Sequence, residues 1–201
     1  MTSILIFQAI SACLSRGDSN KAIALYHRMK DKKVLPISAC LSRGDSNKAI
    51  ALYHRMKDKK VLPNLWTFTT LITGCAKYHN WADVLSMYEE MAYYNLPGNI
   101  ACYNSALTAA EKVGDETLAK RIFQEMKDKG VPPDSNSFNM LLSVTAKASG
   151  FEPALGLLDV MRAKDVPRTL YTYNTLIFAC KSRGLFKDMV RYNRLPSPRH
   201  L

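Results

Sequence analysis

The chain has 201 residues, 47% hydrophobic and 22% charged, with nine glycines and nine prolines. That is apolar enough to bury a core, and it excludes an intrinsically disordered or collagen-like chain. No run approaches the roughly 18 consecutive apolar residues of a membrane-spanning helix, and the formal net charge of +11 points to an anionic partner only if it lies on a binding face.

The charge is concentrated at the start. Residues 10–36 read ISACLSRGDSNKAIALYHRMKDKKVLP, and residues 37–63 repeat them letter for letter. Each copy holds six Lys/Arg and two Asp, a net +4, so the pair supplies +8 of the +11. Residues 64–201 carry 16 basic and 13 acidic residues, only +3. The whole-chain pI near 9.5 therefore overstates the basicity of the remainder. Two copies under separate structural demands drift apart, so the identity reads as a recent duplication or an assembly artefact.

The opening residues, MTSILIFQAISACL, have no basic n-region and no Arg/Ser-rich amphipathic leader. Neither a secretory signal nor an organelle transit peptide is predicted there. Residues 3–36 supply nearly a full pair of helices. The second copy, 37–64, lacks the start of its first helix. KKVLP stands in that place, and Pro36 disfavours a helix through it. A shortened first helix beginning near Ile37 is predicted.

From residue 65 onward a period of 35 residues governs the pattern. Phe68, Tyr103, Phe138 and Tyr173 fall at this step, as do Gly74, Ala109, Val144 and Ala179. So do Met91, Met126 and Met161, and Pro97, Pro132 and Pro167. Within 100–134, Tyr103, Ala106, Leu107 and Ala110 form one helical stripe, closed by Gly114. Leu118, Ala119, Ile122, Phe123 and Met126 form a second. Asp115 and Glu116 open that second helix, Lys127 and Lys129 close it, and Pro132 and Pro133 stop it. Such a hairpin buries its stripes only by stacking on neighbours. The predicted architecture is one array over 1–201, with repeats 65–99, 100–134 and 135–169. An incomplete repeat over 170–194 and an irregular tail at 195–201 follow, where Pro196 and Pro198 end any helix. That ending predicts a fragment of a longer array.

Five cysteines are present, Cys13, Cys40, Cys75, Cys102 and Cys180. The odd count and the lack of CxxC predict buried small hydrophobes rather than disulfides or zinc ligands. His27, His54 and His79 have no partner at metal or triad spacing. There is no Gly-rich phosphate loop and no HExxH. No catalytic function, cofactor, metal or small-molecule substrate is predicted. The KDKK runs at 30–33 and 57–60 read as solvated helix ends, and Glu89–Glu90 as an exposed helix face.

The segments LYTYNTLIFACKSRG, IACYNSALTAAEKVGDETLAKRIFQEMKDKGVPPD and LWTFTTLITGCAKYHN resemble the pentatricopeptide repeat, over residues from about 4 to 193. The resemblance implies an all-α fold, an α-α superhelix forming a right-handed solenoid of helix-turn-helix repeats. It implies a single-stranded RNA partner, read at one base per repeat by two or three side chains. Carried over position by position, the base-reading residues are Thr69 with Asn99, Asn104 with Asp134, and Asn139 with Thr169, followed by Asn174. The family's pairing rules imply adenine, uracil and a pyrimidine for the three pairs, and a footprint of about A-U-Y-Y. Trp66, Ala101, Asn136 and Tyr171 stand at the position that sandwiches bases; Ala101 and Asn136 depart from the usual aliphatic residue. The family's setting implies RNA processing, stabilisation, editing or translation in a chloroplast or mitochondrion, beside other RNA-processing proteins, with a transit peptide upstream of this chain. The alternative is a non-enzymatic protein-interaction scaffold of the tetratricopeptide type. From the residues alone, without the repeat context, the polar column at 69, 104, 139 and 174 reads as helix N-terminal residues that cap or face solvent.

Overall fold

The computed structural model describes residues 37–58, 60 and 62–182. The expectations for residues 3–36, for the helix after 182 and for the tail at 195–201 lie outside the described residues, as do Cys13, His27 and the KDKK run at 30–33. Every regular element among the described residues is an α-helix. They are α1 (Ile37–Ser42), α2 (Ser46–Asp58), α3 (Leu65–Lys77), α4 (Trp81–Tyr93), α5 (Ile100–Val113), α6 (Glu116–Asp128), α7 (Ser135–Ala148), α8 (Phe151–Ala163) and α9 (Leu170–Ser182). None is long and apolar enough to cross a membrane. The chain divides into two compact units, Met1–Asn80 and Trp81–Leu201.

In the N-terminal unit, α1 is only six residues long and starts at Ile37, directly after Pro36. It packs on α2 and α3, and α2 packs on α3. Tyr53 of α2 and Phe68 of α3 are fully buried, with ring centroids 5.7 Å apart. Gly74 is needed where α1 meets α3: a Cβ there would come within 2.5 Å of Leu41 Cδ1. Asn80 ties the end of α3 back to α2 by donating from Nδ2 to Ser46 Oγ.

In the C-terminal unit the period becomes three-dimensional. The first helices α5, α7 and α9 pack on one another in sequence. The second helices α4, α6 and α8 each pack against the first helix that follows. The apolar stripes meet between these rows. Phe123 of α6 sits edge-to-face on Phe138 of α7 at 4.9 Å, and Tyr88 of α4 on Tyr103 of α5 at 6.1 Å. Tyr88 also donates its hydroxyl to Glu125 at 2.7 Å; burial first, then that carboxylate, pushes the phenol up. Leu142, Phe151, Leu155, Leu158 and Leu176 continue the core between α7, α8 and α9.

Local signals set the helix ends. Gly114 closes α5 at φ +80, a conformation glycine reaches without a steric penalty. The turns after the second helices share one left-handed residue at a 35-residue step: Lys60, Asn95, Gly130 and Asp165. Cys40, Cys75, Cys102 and Cys180 are all buried. His54, Lys57, Lys60 and Glu89 are exposed.

Candidate nucleic-acid interface

The last residue of a repeat caps the first helix of the next. Asn64 accepts from Thr67 N at 2.9 Å, Asn99 from Cys102 N at 3.0 Å and Asp134 from Ser137 N at 2.8 Å. At Asp134 this is a full capping box, because Ser137 Oγ accepts the Asp134 N–H in return. The capping role therefore belongs to this column. Asn104 and Asn139 are the fifth residues of their helices, and their side chains are free for another partner.

That partner is the last residue of the same repeat. Asn104 Nδ2 donates to both carboxylate oxygens of Asp134, at 3.2 and 3.3 Å. One period later, Asn139 Nδ2 donates to Thr169 Oγ1 at 3.1 Å. The two pairs are equivalent in sequence and in geometry. Burial opposes ionisation of Asp134, but the Ser137 backbone N–H and hydroxyl and the Asn104 amide outweigh it, and its carboxyl is held below the usual range.

The pairs differ in access. Asn104 and Asp134 are half-buried and Thr169 is exposed, whereas Asn139 is only 3% exposed. Asn174 lies exposed on α9. Thr69, in the N-terminal unit, is half-buried, and its carbonyl accepts from Thr73 Oγ1 at 2.6 Å. Asn99, in the C-terminal unit, is exposed beside its cap. The residues expected to stack on bases all reach solvent: Trp66 at 41%, Tyr171 at 44%, and the small side chains Ala101 and Asn136.

The sequence reading missed two further columns. Lys77, Lys112 and Lys147 recur at the 35-residue step in the last turns of α3, α5 and α7. Lys112 and Lys147 both pair with Glu111, Lys112 at 3.2 Å and Lys147 by a short contact to Oε1. Glu111 is buried and also accepts from Ser143 Oγ at 2.9 Å. Burial alone would raise its carboxyl; the hydrogen bonds from Lys147, Ser143 and Lys112 carry it below the usual range instead. The second column is Thr67, Cys102, Ser137 and Thr172, the buried third residue of each repeat. Both columns were readable as periodicity. The excess charge at 10–63 hid the first, and a mixture of residue types hid the second.

A family model described as the pentacotripeptide-repeat region of PRORP matches residues 35–192, and a model of the PPR repeat matches residues 9–34. The chain belongs to the pentatricopeptide-repeat family. Its fold class is accordingly the all-α helical-repeat superhelix. Among solved structures, the pentatricopeptide repeat protein PPR10 from maize is similar over 94% of this chain and 29% of its own, at 25% identity and a TM-score of 0.57. The same maize protein in complex with an 18-nt psaJ RNA element matches with a TM-score of 0.58 at 20% identity, over 94% of this chain and 28% of its own. The PPR domain of Arabidopsis thaliana protein-only RNase P 1, in complex with tRNA, matches over 89% of this chain and 98% of its own, at 20% identity and a TM-score of 0.62. This chain thus spans under a third of the maize protein's length. No curated protein matches it.

Proposed function

We propose that the chain binds single-stranded RNA, one base per repeat, as a non-enzymatic module of organelle RNA processing, stabilisation, editing or translation. The observation that carries this reading is the recurrence, one period apart, of the pairs Asn104–Asp134 and Asn139–Thr169 on a contiguous row of helices. The maize and Arabidopsis relatives, solved with an RNA element and with tRNA, support RNA as the partner. The accessible side chains of α5 and α7 include the polar Asn104, Ser105, Thr108, Lys112, Asn136 and Lys147 beside the apolar Ile100 and Val113.

The chemistry follows from donor and acceptor inventories. Asp134 only accepts, so it holds the Asn104 amide nitrogen toward itself and fixes what the amide offers a base. This is the uracil-reading repeat. Thr169 accepts from the Asn139 amide, but its hydroxyl, unlike a carboxylate, can offer a base either a donor or an acceptor, so this repeat takes either pyrimidine. By the family's rule the residue types Thr69 and Asn99 imply adenine, and Asn174 supplies the reading amide of the repeat from 170. Trp66 and Tyr171 offer faces for stacking, at about 1–3 kcal/mol per base; Ala101 and Asn136 offer little. After ordering costs, such a sum gives affinity weaker than about micromolar for this chain.

The test is a titration of the chain with short RNAs carrying A-U-Y-Y or its scrambled versions. The matched sequence should bind more tightly, and Asn104→Ala should remove the preference at the second position. Equal affinity across the set would defeat base reading.

A further inference from the structure

The Asn104–Asp134 pair has a third member from the next repeat. Ser137 is fully buried. Its Oγ accepts the Asp134 N–H at 3.3 Å, so its single proton is directed the other way, to Asn104 Oδ1 at 2.6 Å and Asp134 Oδ1 at 2.9 Å. Asn104 therefore has its nitrogen on a carboxylate and its oxygen on a hydroxyl. Turning the amide over would set two oxygens against each other at Asp134. The arrangement recurs one period on. Thr172, also fully buried, accepts the Thr169 N–H at 3.1 Å and donates to Asn139 Oδ1 at 2.5 Å. Two different residue types perform the same bonds at the same register, which separates the pattern from incidental packing.

We propose that Ser137 is a positioning residue for base reading: it holds the amide oxygen of Asn104, so the set that fixes one reading amide is a triad drawn from two consecutive repeats. This inference rests on the one-base-per-repeat reading above. Without the hydroxyl, Asn104 Oδ1 loses its donor and turns to whatever the base supplies. Uracil carries a proton on ring nitrogen 3 and cytosine does not. A loosened amide serves either base, so discrimination falls while the capping bond from Ser137 N to Asp134 is kept.

The experiment titrates the full chain with two hexanucleotides that differ only by uracil or cytosine opposite repeat 100–134. Ser137→Ala should lower the uracil-to-cytosine affinity ratio about five-fold, the worth of one hydrogen bond. Ser137→Thr should retain the ratio, since Thr172 already seats that side chain at the matching position. Ser137→Cys gives a second variant should the alanine protein not fold; it keeps the volume, places a weak donor there, and matches the buried Cys102. It should lower the ratio as alanine does. A wild-type preference for uracil that survives in both the alanine and cysteine variants overturns the role of Ser137 and leaves base reading intact. Equal weakening toward both RNAs also overturns it, because that is the mark of a purely structural hydroxyl. A wild-type ratio of one, unchanged by Asn104→Ala, overturns base reading itself and the triad with it.

Discussion

Asp134 carries two duties on one carboxylate, capping α7 and holding the amide of Asn104. The duties can be separated. Asn is as good an N-cap as Asp, so Asp134→Asn should keep the cap and lose only the charge-assisted part of its hydrogen bonds, about 1 kcal/mol of stability. It also presents a donor where only acceptors stood, which lets the Asn104 amide settle either way round. The uracil-to-cytosine ratio at this repeat should fall toward one, measured by competition titration, and a ratio equal to wild type would show that the carboxylate is not the orienting group. Two of the three depressed carboxyls among the described residues, Glu116 being the third, give a further test. Asp134 and Glu111 both titrate below their ordinary values of 3.8 and 4.5. Their stabilisation is complete above those values and is lost as pH falls through the lower folded ones. The denaturation midpoint should thus hold near pH 6 and drop below about pH 4. Glu111→Gln should remove part of that drop, at a cost of about 1 kcal/mol near neutrality, since both lysine partners sit half in water and pair weakly.

At the scale of helices, the 35-residue pattern was fully legible in 65–169, because burial of two stripes per repeat imposes itself on residue type. Phe68, Tyr103 and Phe138 are buried, as their spacing required. The left-handed turn residues were legible only at Gly130; Lys60, Asn95 and Asp165 adopt the same conformation without a glycine to announce it. The third-residue hydroxyls were hidden for a related reason. Their partners lie some 30 residues away in sequence, and Thr, Cys, Ser and Thr in one column look like tolerance rather than a shared bond. Gly74 shows how a column can mislead. Its counterparts are Ala109, Val144 and Ala179, which invites Gly74→Ala as a helix-stabilising change. Leu41 occupies the space where that methyl group would go. The substitution should instead destabilise the chain by about 1–3 kcal/mol, the usual cost of overpacking, read by chemical denaturation; a gain in stability would mean that α1 shifts freely.

For the molecule as a whole, the question is which of its cations meet the phosphate chain. Net charge is a poor guide, because +8 of the +11 sits in the duplicated segments. The column of Lys77, Lys112 and Lys147 is a better one, since it recurs in the sequence at the same 35-residue interval as the proposed reading residues. Counterion release sets the measurable consequence: with about four phosphates neutralised, log K should fall against log salt with a slope near −3. Lys112 and Lys147 share the buried Glu111, which gathers both ammonium groups at one carboxylate rather than leaving them to swing. Replacing both with alanine should flatten the slope by about 1.4, two phosphates' worth for a single strand. The same change should leave the uracil-to-cytosine ratio at Asn104 where it was, because phosphate contacts carry no base information. Asp134→Asn should do the reverse, altering the ratio and sparing the slope. If the double lysine variant keeps the full slope, the attraction comes from the duplicated basic segments, and the lysine column is only a solvated helix end.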